Sequence, residues 1–152
     1  MSGVPVVVQY LAEGLLEKGY DVSICTKWYE GLSDKENING IHVYRFRLRK
    51  TLMKRYVGEI DSYRKFVLSL NADVVIFECS ECVTTDVLLR NLSQIKGKKI
   101  FHSHGFSGMR LLPFKWNVNL KYTLGNTYNW FRFKIYYSFT SVSYTHLTLP
   151  TT

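Results

Sequence analysis

A glycine turn, an amphipathic helix and a strand follow one another from Ser2 to Thr26 (SGVPVVVQYLAEGLLEKGYDVSICT), and this unit constrains the fold more than any other stretch. Gly3 offers a backbone that can turn tightly and approach a ligand with no Cβ in the way. Pro5 falls in the first helical turn, where a missing N–H costs nothing. Val7, Leu11, Leu15 and Leu16 recur at helical spacing, with Gln9, Glu13, Glu17 and Lys18 opposite, so one face of the helix must be buried on a sheet. Gly19 ends the helix as a C-cap, and Val22, Ser23, Ile24 and Cys25 form a run of strand length. A helix raised on such a turn presents N–H groups and the positive end of its dipole, which suits a phosphate.

The same alternation continues. Lys27 to Gly40 is a polar loop whose Asn39-Gly40 turns into a strand, Ile41 to Leu48 (IHVYRFRL). Thr51 to Gly58 is a basic linker. Ile60, Tyr63, Phe66, Val67 and Leu70 mark the face of a second helix, closed by Asn71-Ala72-Asp73. Val74 to Glu78 (VVIFE) is a continuous apolar run, as expected of a central parallel strand covered on both sides. Val87, Leu88, Leu89, Leu92 and Ile95 predict a third helix, stopped by Gly97, and Lys99 to His102 begins the next strand. Strands alternating with helices imply right-handed crossovers and a Rossmann-like α/β fold, a doubly wound parallel sheet with helices on both faces.

The chain of 152 residues is 46% hydrophobic and 21% charged, which is a globular composition, and no apolar run approaches membrane-spanning length. Three cysteines fit a reducing cytoplasm better than a disulfide scaffold. The net charge of +8 gathers in Arg45–Arg55 and in Arg110–Lys134, where basic residues alternate with Trp116, Tyr122, Trp130, Phe131 and Phe133. Basic and aromatic residues together suit anionic lipid headgroups or nucleic acid. No nucleic-acid-binding module is recognisable, so nucleic acid is not an expected partner, whereas an anionic membrane surface is.

In a parallel sheet, ligands lie beyond the carboxyl ends of the strands, which singles out Ser2–Pro5, Glu78–Cys82 and His102–Phe106. His102-Ser103-His104-Gly105-Phe106 is the best local candidate for chemistry, because imidazole donates or accepts near neutral pH. Two histidines without a third ligand at suitable spacing do not make a metal site. Cys79-Ser80-Glu81-Cys82 has redox spacing, but it lacks a Trp-Cys-Gly-Pro context and a second ligand pair for zinc. Buried small residues in a ligand-facing loop are the simpler reading, with Glu78 and Glu81 able to meet acceptor hydroxyls. A dinucleotide site would need G-x-G-x-x-G after a strand, and Ser2-Gly3-Val4-Pro5 does not supply it.

Ser2-Gly3-Val4, Leu11-Ala12, Leu15, Gly19-Tyr20 and Val22 together resemble the amino-terminal domain of family 4 glycosyltransferases, with its Gly-Gly-Val/Ala turn and "LA..L...GH.V" helix. His102-Ser103-His104 resembles the loop of exopolysaccharide and capsule-type members, and His104-Gly105 the dipeptide ending this strand more widely. Ser2 stands where the family has its first glycine, and the strand that precedes the turn there has no counterpart here, so the first strand is expected to be missing. Val142 to Thr152 (VSYTHLTLPTT) resembles the conceptual translation of a transposon-end sequencing adapter. Residues 1–141 are therefore expected to be one partial domain and 142–152 a non-native tail.

The resemblance implies half of a GT-B fold, in which this lobe faces the acceptor and a second lobe holds the nucleotide-sugar donor. It implies hexose transfer with retention to a saccharide, lipid-linked in the exopolysaccharide type, at the cytoplasmic face of the plasma membrane. No metal or other cofactor is implied. His104 becomes the catalytic candidate, with Ser2, Gly3, Val4, Glu78, Glu81, His102 and Gly105 contacting substrate. A fragment of this extent is expected to be inactive alone. The competing expectation is a non-catalytic membrane-surface module, carried by Trp116–Tyr137.

Overall fold

The computed structural model describes residues 3–51, 56–79 and 82–102, together with positions 124, 125, 127, 128, 130 and 131. The chain divides into two units, Met1–His104 and Gly105–Thr152. All the strands described below belong to the first.

The opening helix α1 spans Gly3–Glu17. It ends where the sequence predicts. Gly19 adopts φ +83°, its N–H donates to Leu16 O at 2.9 Å, and Tyr20 N–H donates to Leu15 O at 3.2 Å. These two bonds are the Schellman pattern that satisfies the last carbonyls of a helix. Within α1, Gly14 has ordinary helical geometry and open space around it, with nothing within 4 Å of an added Cβ. Gly14→Ala should therefore stabilise the protein by about 0.5–1 kcal/mol, since alanine loses less backbone entropy in a helix. A thermal melt with an unchanged or lower midpoint would contradict this.

Strand β1 (Ser23–Lys27) pairs in parallel with β3 (Ile41–Phe46), from Ser23 opposite His42 to Lys27 opposite Phe46. On the other side of β3 lies β2 (Lys35–Ile38), antiparallel, with Ile38 opposite Ile41. The loop expected over Lys27–Gly40 is thus half strand. Asn39 and Gly40, at φ 52° and 95°, form the two-residue turn of a hairpin, in which both central residues need positive φ.

Alternation along β3 covers its two faces differently. Ile41 and Val43 join Ala12 in a buried cluster, with Leu16, Val22 and Ile24 packed against it, which seats α1 on one face. Tyr44 and Phe46 point the other way, to helix α2 (Ile60–Ser69): Tyr44 lies 4.6 Å from Phe66, and Phe46 lies 5.1 Å from Tyr63, centroid to centroid. This sheet is therefore helix-covered on both faces.

The strand expected over Ile41–Leu48 is broken at Arg47. Leu48–Lys50 forms β4, paired antiparallel with β5 (Tyr56–Gly58) in a second small sheet. Part of the expected linker is therefore a strand. Leu48 is among the most buried side chains, at 1% exposure. A third sheet pairs β6 (Val74–Glu78) in parallel with β7 (Lys98–His102), Val74 opposite Lys98 and Glu78 opposite His102. Between them the single helix expected over Val87–Ile95 is instead a one-turn helix α3 (Val83–Asp86) and a 3-10 segment, Leu89–Gln94. Val87, Leu88, Leu89, Leu92 and Ile95 are all buried, as the apolar pattern requires.

The molecule is thus a mixed α/β protein with small parallel and antiparallel sheets. Among the described residues the expected single parallel sheet is not formed, because β1 and β6 are both edge strands. Contrary to expectation for a covered central strand, β6 buries only Phe77, and Val74 is exposed. No described helix is long and apolar enough to cross a membrane.

Candidate functional site at the strand carboxyl ends

Glu78 and His102 are separated by 24 residues and brought together by the parallel register, as the last residues of β6 and β7. His102 Nδ1 lies 3.0 Å from Glu78 Oε2 and 3.2 Å from Oε1. An ionised carboxylate only accepts, so Nδ1 is the donor, and the neutral ring keeps Nε2 as its acceptor. The Glu78 side chain is largely buried and that of His102 half exposed, which places an oriented imidazole at the rim. Such a ring, oriented by the carboxylate, can accept or deliver a proton.

The next turn is unusual in backbone as well as position. Cys79 adopts φ +73°, uncommon for a residue with a Cβ, and its N–H donates to His102 O at 2.9 Å. The bond extends the β6–β7 ladder past Glu78 and holds the pair in register. Cys82, which caps α3, places Sγ 3.5 Å from Cys79 O and 3.1 Å from Thr85 Oγ1. Both cysteines are half-buried thiols, so the reading of buried small residues holds only in part. Among the described residues no group of three or more His, Cys, Asp or Glu is arranged to hold a metal ion.

Gly3 and Val4 are placed by a different element. They form the first turn of α1, which rests on the β1–β3 sheet, while Glu78 and His102 end strands of another sheet. Gly3 is already helical, and an added Cβ would meet nothing within 4 Å, so the tight turn expected at this glycine is not seen. Ser2, Glu81, His104 and Gly105 lie outside the described residues.

Two further clusters lie next to strand ends. Arg47, just past β3, stacks over Trp28, just past β1, with its guanidinium carbon 4.8 Å from the ring centroid. It also grips Asp34 through two bonds of 2.8 and 3.1 Å, and its backbone N–H donates to Glu59 Oε2 at 2.6 Å. Asp34 and Glu59 raise the pKa of the Arg47 guanidinium, the hydrogen bond that Arg47 donates to Asp34 most. Tyr56 hydroxyl donates to Asp86 Oδ2, tying β5 to α3. The aromatic and basic run Lys27-Trp28-Tyr29, directly after the first predicted strand, carried the signal for the Arg47 cluster. The choice of three candidate loops passed over it.

Burial controls two further groups, Cys25 on β1 and Tyr63 on α2. It pushes the Cys25 thiol up to about 12, so this cysteine stays protonated and inert. Burial is also the largest cause raising the Tyr63 phenol, followed by the nearby Cys25 and Cys82. The Tyr63 hydroxyl donates to Thr84 O at 2.9 Å.

No protein-family model, curated protein or solved structure matches this chain.

Proposed function

We propose that the chain is the acceptor-side lobe of a retaining glycosyltransferase of the GT-B type, acting in cell-surface polysaccharide synthesis. The single observation that carries this reading is the Glu78–His102 pair, held in register at the carboxyl ends of two parallel strands. His102 also opens His102-Ser103-His104-Gly105, one of the two stretches that carry the resemblance. In this reading Glu78 orients His102, His104 meets the acceptor or the transferred hexose, and Glu81 and Gly105 line the same loops. The amino end of α1, with Ser2, Gly3 and Val4, faces the donor phosphates. Catalysis is positioning and charge stabilisation of a departing diphosphate, with the donor nucleotide sugar as substrate and no metal required.

The sheet edges add support. Among the described residues β1 and β6 each stand at an edge of their own sheet, where a further strand could pair, and Val74 and the valines that open α1 are only partly buried or exposed. In this reading the chain supplies the acceptor side of the site and gives no turnover by itself.

The test is a turnover and binding assay. With nucleotide hexoses and a diphosphate-linked saccharide, the purified chain should release no nucleotide. The saccharide alone should shift the ring resonances of His102, and Glu78→Gln should reduce that shift. Nucleotide release by the chain alone, or saccharide binding that leaves His102 unmoved, would overturn the proposal.

A further inference from the structure

Cys79 and Cys82 stand at the two ends of the turn from β6 into α3, and the proposed sugar chemistry uses neither. Two cysteines at this spacing, after a strand and before a helix, match dithiols that open and close a disulfide. The spacing alone is a weak signal. The structure adds reach and environment.

Cys82 Sγ turns back along the chain, 3.5 Å from Cys79 O and 3.6 Å from Glu78 O. It therefore lies within about 6 Å of the Cys79 Cα, close to the reach of a disulfide. The Thr84 and Thr85 hydroxyls stand 3.3 and 3.1 Å from the same sulfur. A hydroxyl rotates to donate, so both can stabilise a thiolate at Cys82 once its proton leaves. Cys79 is fixed from the other side, with φ +73° and its N–H bonded to His102 O at 2.9 Å. Cys25 is the contrast among the three thiols, because burial pushes it up to about 12 and keeps it out of exchange.

We propose that Cys79 and Cys82 form a reversible disulfide by exchange with a low-molecular-weight disulfide, and that closing this bridge moves the His102 ring. The Cys79 thiolate attacks one sulfur of the small disulfide and expels the other, which leaves a mixed disulfide on Cys79. Cys82, held in the turn by its polar neighbours, then attacks Cys79 Sγ and expels the second thiolate. The chain gives up two electrons and two protons, and the small disulfide leaves as two thiols. Closure draws the Cys79 backbone toward Cys82. Because the Cys79 N–H is bonded to the carbonyl of His102 itself, that movement passes to the end of β7. The bridge holds whatever the Glu78–His102 pair acts on.

The experiment equilibrates the full chain in glutathione buffers of graded oxidised-to-reduced ratio, with no saccharide present. Acid quenching, alkylation and peptide mapping by mass then locate every thiol. Oxidation should make the peptide holding Cys79 and Cys82 lighter by two hydrogens and block both from alkylation, while Cys25 is alkylated only after unfolding. Excess reduced glutathione should restore both thiols. Cys82→Ser should instead retain one glutathione, on Cys79, and Cys25→Ser should bridge as the parent does. The His102 ring resonances should differ between the reduced and the bridged chain. Circular dichroism checks the fold of each variant, and mapping of the parent chain decides the matter where a variant does not fold. The proposal is overturned by glutathione on both Cys79 and Cys82 without a bridge, or by a bridge to Cys25 or between chains. It is equally overturned by thiols that stay reduced throughout, or by a bridged chain whose His102 resonances match those of the reduced one.

Discussion

Gly97→Ala is expected to destabilise the protein by about 2–6 kcal/mol, combining left-handed backbone strain with overpacking. Gly97 sits at φ +77°, and a Cβ there would lie 2.1 Å from Ala72 O and 2.7 Å from Asp73 O. Both obstacles are backbone, so no rotamer change relieves them. The next residue, Lys98, donates its N–H to Asp73 O at 2.7 Å and starts the β6–β7 register that ends at Glu78 and His102. Damage at one end of this ladder should therefore reach the rim pair. Gly58→Ala should behave similarly, with a Cβ 1.9 Å from Arg47 O at φ +105°. Gly31 is the contrast, at φ +82° with nothing within 4 Å, so Gly31→Ala should carry only the strain, about 1 kcal/mol. Urea midpoints would test the series. Equal losses for Gly31→Ala and Gly97→Ala would show that the close carbonyls are not the cause.

Alkaline pH is expected to remove several kcal/mol of stability between about pH 9 and pH 12, through Cys25 and Tyr63. Burial raises the Cys25 thiol from 9.0 to about 12. Above pH 9 the unfolded chain loses this proton while the folded one keeps it, so the unfolded state binds fewer protons and unfolding becomes easier as pH rises. The stabilisation is complete below about pH 9 and lost toward pH 12. Three pH units correspond to about 4 kcal/mol at most for this group. Tyr63 acts in the same direction, because its phenol is also raised chiefly by burial. Cys25→Ser should flatten the alkaline arm of a stability-versus-pH curve. Adding Tyr63→Phe should flatten it further, at a neutral-pH cost of about 1 kcal/mol for the lost bond to Thr84 O. An alkaline arm as steep in the double variant as in the parent would rule out this assignment.

The elements legible in the sequence are those with a helical period and a physical stop, or a short apolar-rich run between turns. Helices α1, closed by Gly19, and α2 are of the first kind, and β1, β6 and β7 of the second. Strand β2 was not legible from alternation, since all four residues of Lys35–Ile38 are exposed and a KENI segment has no buried face. Asn39-Gly40 was the available hairpin signal, and reading it only as an entry to β3 left its partner strand unrecognised. The break at Arg47 was hidden for the opposite reason. IHVYRFRL reads as one strand whose apolar phase switches faces at Val43-Tyr44, with no break at Arg47, and what interrupts it there is tertiary, the grip of Arg47 on Asp34 and Glu59. Over Val87–Ile95 three consecutive buried residues, Val87, Leu88 and Leu89, satisfy no single helical face. The segment instead tightens, with Leu88 N–H to Thr85 O and Asn91 N–H to Leu88 O at 3.0 and 2.8 Å. At the site, sequence named Glu78 and His102 separately. Their pairing required the β6–β7 register, which composition does not encode.

The coding frame on either side of these 152 residues is the most direct test of the central claim, that this chain is one lobe of a two-lobed sugar transferase. Sequencing the genomic locus should reveal an apolar strand-coding stretch just ahead of Ser2. In place of Val142–Thr152 it should reveal a second α/β lobe with two glutamates spaced along one helix face. A locus in which the frame opens at Met1 and closes after Thr152 would contradict the account.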